Sequence, residues 1–162
     1  MTERRNLQSV LDAAQSGACV ITSNTRAARN LRRAFTDRQR ANDQLAWRSP
    51  EILPWSAWLK RLWQEHLFQS PGHFNALLDE RQERYLWERI IAADQPALDA
   101  GSLAAECSRA WRTIHAYRIP REKNAFRRKP DTATFFRWSS SYGSLCERNG
   151  WLDEARLPDR LH

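Results

Sequence analysis

Three cysteines, three lysines among 26 basic residues, no glycine-rich phosphate loop and no long apolar run bound what this 162-residue chain does. Cys19, Cys107 and Cys146 are odd in number, widely spaced and in no C-x-x-C pair, so neither a disulfide framework nor a zinc site is expected. His66 and His73 flank a Pro-Gly break and His115 has no evident partner, so no metal is expected. No stretch approaches the roughly 20 apolar residues of a membrane span and no secretory pattern opens the chain, which makes a cytoplasmic protein with no membrane contact the expectation. The run G-x-x-x-x-G-K-[ST] is missing; without it no backbone cradle with lysine and hydroxyl serves nucleotide phosphates and magnesium. No catalysis and no cofactor are expected on this chain.

What is present is positive charge and tryptophan. The formal net charge is +7 and the pI about 10, a balance that favours an anionic partner. The charge is uneven: residues 1–50 carry nine basic and four acidic side chains, 51–100 five and eight, and 101–162 twelve and seven. Eight tryptophans supply large apolar areas for a core. Trp55 and Trp58 read either as core or as a platform for stacking bases.

Residues 20–35 carry the sharpest signal. Val20-Ile21-Thr22 reads as the end of a strand over residues 18–22. Ser23 and Asn24 make a polar turn, and Asn24 or Thr25 caps a helix running to about Arg40. Ala27, Ala28, Leu31, Ala34 and Phe35 mark its apolar face, leaving Arg26, Arg29, Arg32 and Arg33 elsewhere. A helix start offers unpaired N–H groups and partial positive charge, so hydroxyls and amides in the turn, with arginines just inside, suit phosphate oxygens. The alternative is a capped helix with a solvated basic face.

Around this segment, Leu7, Val10, Leu11 and Ala14 predict a helix over 3–16 stopped by Gly17. A second strand is predicted over 47–53, interrupted by Pro50 and ended by Pro54, and Ser56 is predicted to cap a helix to residue 68 that Ser70-Pro71-Gly72 breaks. Asp79 caps a further helix with Tyr85, Leu86, Trp87, Ile90 and Ile91 inward and Glu80, Glu83 and Glu88 outward. Helices over 101–117, carrying Tyr117, and 132–149 follow, separated by an exposed connector from Arg118 to Asp131, of which the basic stretch Arg118 to Lys129 reads as a second DNA or partner surface or as a solvated linker. The order predicts a helix-dominated α/β fold, a partial parallel sheet followed by an all-helical insert. The first region spans 1–68 and the helical subdomain 69–162, packed together as one unit.

The segment Thr22-Ser23-Asn24-Thr25-Arg26-Ala27-Ala28 resembles motif Ia of UvrD-type helicases, T-F-T-N-K-A-A, whose turn grips single-stranded DNA phosphates. Thr22, Thr25, Arg26, Ala27 and Ala28 align with it without gaps, while Ser23 stands where that family has a stacking aromatic. Leu53-Pro54-Trp55-Ser56-Ala57-Trp58-Leu59 is similar to its T-F-H-S-F-A-L segment, with Ser56 and Leu59 matching outright. Trp138 to Leu161 resembles the Y-x-x-L…N-x-L-D-F-D-D-L stretch that ends its helical insert. The P-E-I-L-P-W-S-A-W-L block and the helix over 78–91 look most like the N-terminal region of AddB-like probable DNA repair proteins of bacteria, in which a degenerate helicase module precedes a RecB-type PD-(D/E)XK nuclease domain. The resemblance implies a P-loop-related fold that has lost its loop, the helix at 3–16 standing where the loop's helix would be. It implies DNA, single-stranded or as a duplex end, as partner, and a following nuclease domain or a helicase subunit as neighbour. Thr22, Ser23, Asn24, Thr25, Arg26, Arg29, Arg32, Arg33 and Ser56 are the expected DNA-binding residues. The competing reading is a helical protein-interaction or scaffold module.

Overall fold

A computed structural model describes residues 2–69, 76–121 and 129–161. The chain divides into two compact units, residues 1–65 and 66–162. Among the described residues no helix is long and apolar enough to cross a membrane, and the cysteines are free, Cys19 exposed and Cys107 and Cys146 buried.

The first unit is a β-α-β crossover with a helix ahead of it. Helix α1 (Thr2–Gln15) buries Leu11 and Ala14 but leaves Leu7 exposed, a narrower apolar stripe than its spacing predicts. It stops at Gly17, whose φ of 92° is open to glycine without a Cβ clash. The Ala18 N–H then returns to the Ala13 carbonyl and the Gly17 N–H to that of Ala14, satisfying two end carbonyls. Strand β1 (Val20–Thr22) and strand β2 (Ile52–Pro54) pair in parallel, in the register Val20 with Ile52, Ile21 with Leu53 and Thr22 with Pro54. Helix α2 (Thr25–Ala41) is the crossover that parallel pairing requires. Leu11, Ala14, Ala28, Phe35 and Ile52 form the core of this unit, with Val20, Leu31, Ala34 and Trp47 against it.

Strand β2 is much shorter than the predicted 47–53. Pro50 has no N–H to give a ladder, and the Ile52 N–H folds back onto the Pro50 carbonyl at 3.1 Å, so regular pairing starts only beyond it. Helix α3 (Trp55–Gln69) begins on the residue after Pro54. Ser56 therefore lies inside its first turn and is not the cap. The predicted break at Ser70-Pro71-Gly72, and His73, lie outside the described residues.

The second unit is built on stacked aromatics. Asp79 caps helix α4 (Glu80–Asp94) in a reciprocal box with Gln82, the two bonds measuring 2.8 and 2.9 Å. Asp99 caps helix α5 (Ala100–Ala116) through the Gly101 and Ser102 N–H groups. Helix α6 (Pro130–Arg148) carries proline at its start, where the missing N–H is harmless. Trp87 of α4 lies parallel to Tyr142 of α6 at 4.2 Å between ring centres, and Trp111 of α5 meets both edge-on at 6.1 and 5.4 Å, arrangements that suit the ring quadrupoles. All three rings are buried.

This unit is not all-helical. Strand β3 (Ala76–Leu77) pairs in parallel with strand β4 (Trp151–Leu152), and a short helix α7 (Leu157–Arg160) follows. Two-residue strands carry too little alternation to be read from sequence. Tyr85, expected inward, is 58% exposed and lies under the Arg89 guanidinium at 5.8 Å, and Tyr117 is 78% exposed. Glu83, expected on the outer face, is buried: its carboxylate accepts the Ser108 hydroxyl at 2.5 Å and the Arg112 guanidinium at 3.3 Å across α4 and α5. Arg121 of the basic connector is half-buried, 5.0 Å above Trp111 and donating to the Ser139 and Ser140 hydroxyls. It is part of the packing, not of an open cationic surface. Residues 122–128 of that connector lie outside the described residues.

Candidate nucleic-acid interface

Parallel strands deliver their carboxyl ends to one edge of a sheet, and the turns leaving that edge are where α/β folds hold ligands. In the first unit Thr22 and Pro54 are register partners. The turn at Ser23 and Asn24 that enters α2 and the junction at Trp55 that enters α3 therefore leave the same edge side by side, about one interstrand spacing of 4.8 Å apart. Neither helix has an acidic residue in its first turn, so no local carboxylate competes with an anion at either N-terminus.

The turn residues divide by what they already do. Thr22 is buried, and its hydroxyl donates to the Asn24 carbonyl at 3.0 Å with the Leu53 carbonyl at 3.3 Å as second acceptor. It ties the two turns together from beneath and does not reach solvent. Asn24 is the cap: its Oδ1 accepts the Ala27 N–H at 2.8 Å and its Nδ2 donates to the Ser23 hydroxyl at 3.2 Å. Ser23 and Thr25 are exposed. With Asn24 serving Ala27, the N–H groups of Thr25 and Arg26 keep no intrahelical acceptor, as helix geometry requires of a first turn.

The four arginines separate as sharply. At about 100° per residue, Arg26, Arg29 and Arg33 fall within an arc of about 60° on α2, spread over about 10 Å of its length. All three are exposed, and none has a carboxylate partner among the described residues. Arg32 points off that arc: its guanidinium donates to the Ile52 carbonyl and straps α2 to β2. Arg38, on the opposite flank, is bound to Asp12 of α1 at 2.6 Å. The chain thus spends two arginines of this helix on structure and leaves Arg26, Arg29 and Arg33 open.

Arg40, outside the expected DNA-binding set, continues the row seven residues beyond Arg33 and is exposed. The 26-33-40 heptad spacing is the signal that identifies it. Asp37 is the carboxylate of the same face, and no ion pair joins it to Arg33 among the described residues. Ser56 is half-buried in the first turn of α3. Beside it Trp55 and Trp58 stand three residues apart with ring centres at 5.1 Å and planes at 35°, Trp55 being 46% exposed.

Of the nine expected residues, Ser23, Thr25, Arg26, Arg29 and Arg33 are exposed around the start and outer face of α2, Asn24 caps that start, Thr22 and Arg32 brace it, and Ser56 belongs to the neighbouring helix start. Among the described residues no three histidine, cysteine or acidic side chains gather as metal ligands. No protein-family model matches the chain, and a search of curated proteins returns no match.

Proposed function

We propose that this chain is a non-catalytic, helicase-like DNA-binding module of a bacterial DNA repair and recombination nuclease, acting in DNA-end processing by holding phosphates at the start of α2. One observation carries the reading: Arg26, Arg29 and Arg33 form a row that no carboxylate pairs with among the described residues, next to a helix N-terminus at the carboxyl edge of parallel strands. Guanidinium groups donate in pairs to phosphate oxygens, and the open N–H groups of Thr25 and Arg26 add backbone donors. The link to repair nucleases rests on the motif resemblance described above. In this reading the module guides a strand and the chemistry belongs to a neighbouring domain or subunit.

The test is binding of a fluorescent oligonucleotide at low and high salt, comparing the chain with Arg26→Glu/Arg29→Glu. The double reversal places two carboxylates where phosphates would sit and is expected to abolish measurable binding at low salt while the circular dichroism spectrum is retained. Unaltered affinity in a folded variant overturns the reading.

An open, mainly apolar groove of about 750 Å³ in the second unit, lined by Leu103, Cys107, Ala110, Ile114, Phe135 and Trp138 among others, favours a second reading, a protein-interaction module that packs on the rest of its parent or on a partner subunit. That reading predicts self-association in size-exclusion chromatography; a clean monomer counts against it.

A further inference from the structure

We infer that Trp55, backed by Trp58, is a stacking platform for unpaired bases, so that the site takes single-stranded DNA in preference to duplex. The inference rests on the phosphate grip proposed above and adds a base contact to it. Trp87, Trp111 and Trp138 are 0%, 1% and 5% exposed, whereas Trp55 is 46% exposed. The fold has a packing use for the first three and leaves half of the fourth in water.

Its position is set by the sheet. Trp55 follows Pro54 directly, Pro54 pairs with Thr22, and Ser23 and Asn24 follow Thr22 into the basic helix. The indole and the phosphate-facing turn therefore start from neighbouring positions on one edge. Trp58, one helical turn on and half-buried, lies 5.1 Å from Trp55 at a 35° tilt, which limits the rotation of the exposed ring. A large aromatic held this way accepts any base face, and does so without sequence preference.

Charge names the occupant. The cationic row at Arg26, Arg29 and Arg33 stands on the helix that leaves the same edge, and a polyanion with free apolar faces matches both features. Single-stranded DNA presents such faces along its length, while duplex bases are already stacked on one another. A duplex then gains the phosphate contacts alone.

The experiment measures fluorescence anisotropy of the full chain with three labelled probes: an oligothymidylate of about 15 nucleotides, an abasic strand of equal length, and a blunt duplex of equal length. The oligothymidylate is expected to bind at least about fivefold more tightly than the abasic strand. Trp55→Ala should reduce it to the abasic level and leave abasic binding unchanged, while Trp55→Phe retains most of the difference. Equal affinity of the unsubstituted chain for the first two probes overturns the platform and leaves the phosphate grip standing. No binding of any probe overturns both. A base preference that survives in folded Trp55→Ala places the bases elsewhere and overturns the assignment to this residue.

Discussion

The two units balance arginine against carboxylate differently. Residues 66–162 carry 15 basic and 13 acidic side chains, nearly equal numbers, and five arginines are in ion pairs: Arg84 with Glu88, Arg109 with Glu106, Arg112 with Glu83, Arg137 with Asp94 and Arg156 with Asp153. Residues 1–65 carry 11 basic against 6 acidic. There Arg38 and Arg61 are paired, Arg32 is bound to a carbonyl, and the row on α2 is left over. The cores differ as well, the first a small set of aliphatic residues around Phe35 and the second an interlocked aromatic stack. The larger excess of positive charge, five in residues 1–65 against two in residues 66–162, is available to a ligand in the unit with the smaller core.

The comparison breaks most visibly at Trp111. This ring is buried against Trp87 and Tyr142 and lies beneath both Arg121 and Arg156. Trp111→Ala is expected to cost about 3–5 kcal/mol in urea denaturation; a loss below about 1 kcal/mol would show that the aromatic stack does not hold the second unit together. Glu83→Ala comes next. It leaves the Ser108 hydroxyl and the Arg112 guanidinium without their acceptor and is expected to cost about 1–3 kcal/mol by the same measurement. A neutral effect would mean that matched charge in this unit is incidental to its fold.

The smallest effect is a pH dependence confined to the second unit. Burial holds His115 below its ordinary value of 6.5, against the opposing pull of Asp153 and Asp159 and with Arg156 and Arg121 adding to the depression. Just below pH 6.5 the unfolded chain then binds more proton than the folded one, so this contribution is complete above that value and is lost as pH falls toward the lower folded value. The thermal midpoint should decline between about pH 7 and 5.5, and His115→Gln should flatten the decline. An identical slope in that variant would assign the pH sensitivity to other groups.

Strong local chemistry was legible in the sequence. Asn24, Asp79 and Gly17 do what their types and places predict, because a cap or a left-handed stop depends on a few neighbouring atoms. The alternation of helices and the helix-dominated α/β class were readable for the same reason. Tertiary facts were not. Glu83 sits among acidic neighbours on a polar-looking helix, and only the approach of Ser108 and Arg112 from α5 makes it interior. Arg32 is indistinguishable from Arg33 by composition; one residue of helical rotation turns one to the β2 carbonyl and the other to solvent. The β3–β4 pairing joins residues more than seventy positions apart, beyond any local pattern. At the candidate site, the row of open arginines could be drawn from spacing, whereas the inward role of Thr22 required the Leu53 carbonyl to be seen beside it.

The central claim, a cationic row that holds a nucleic-acid backbone, is tested most directly by the salt dependence of single-strand binding. Three arginines engaging three phosphates predict a slope of about −2 in log K against log salt concentration, at roughly 0.7 per neutralised phosphate, and Arg33→Ala should reduce its magnitude by about one such step. A slope near zero, or one that Arg33→Ala leaves unchanged, would contradict the account.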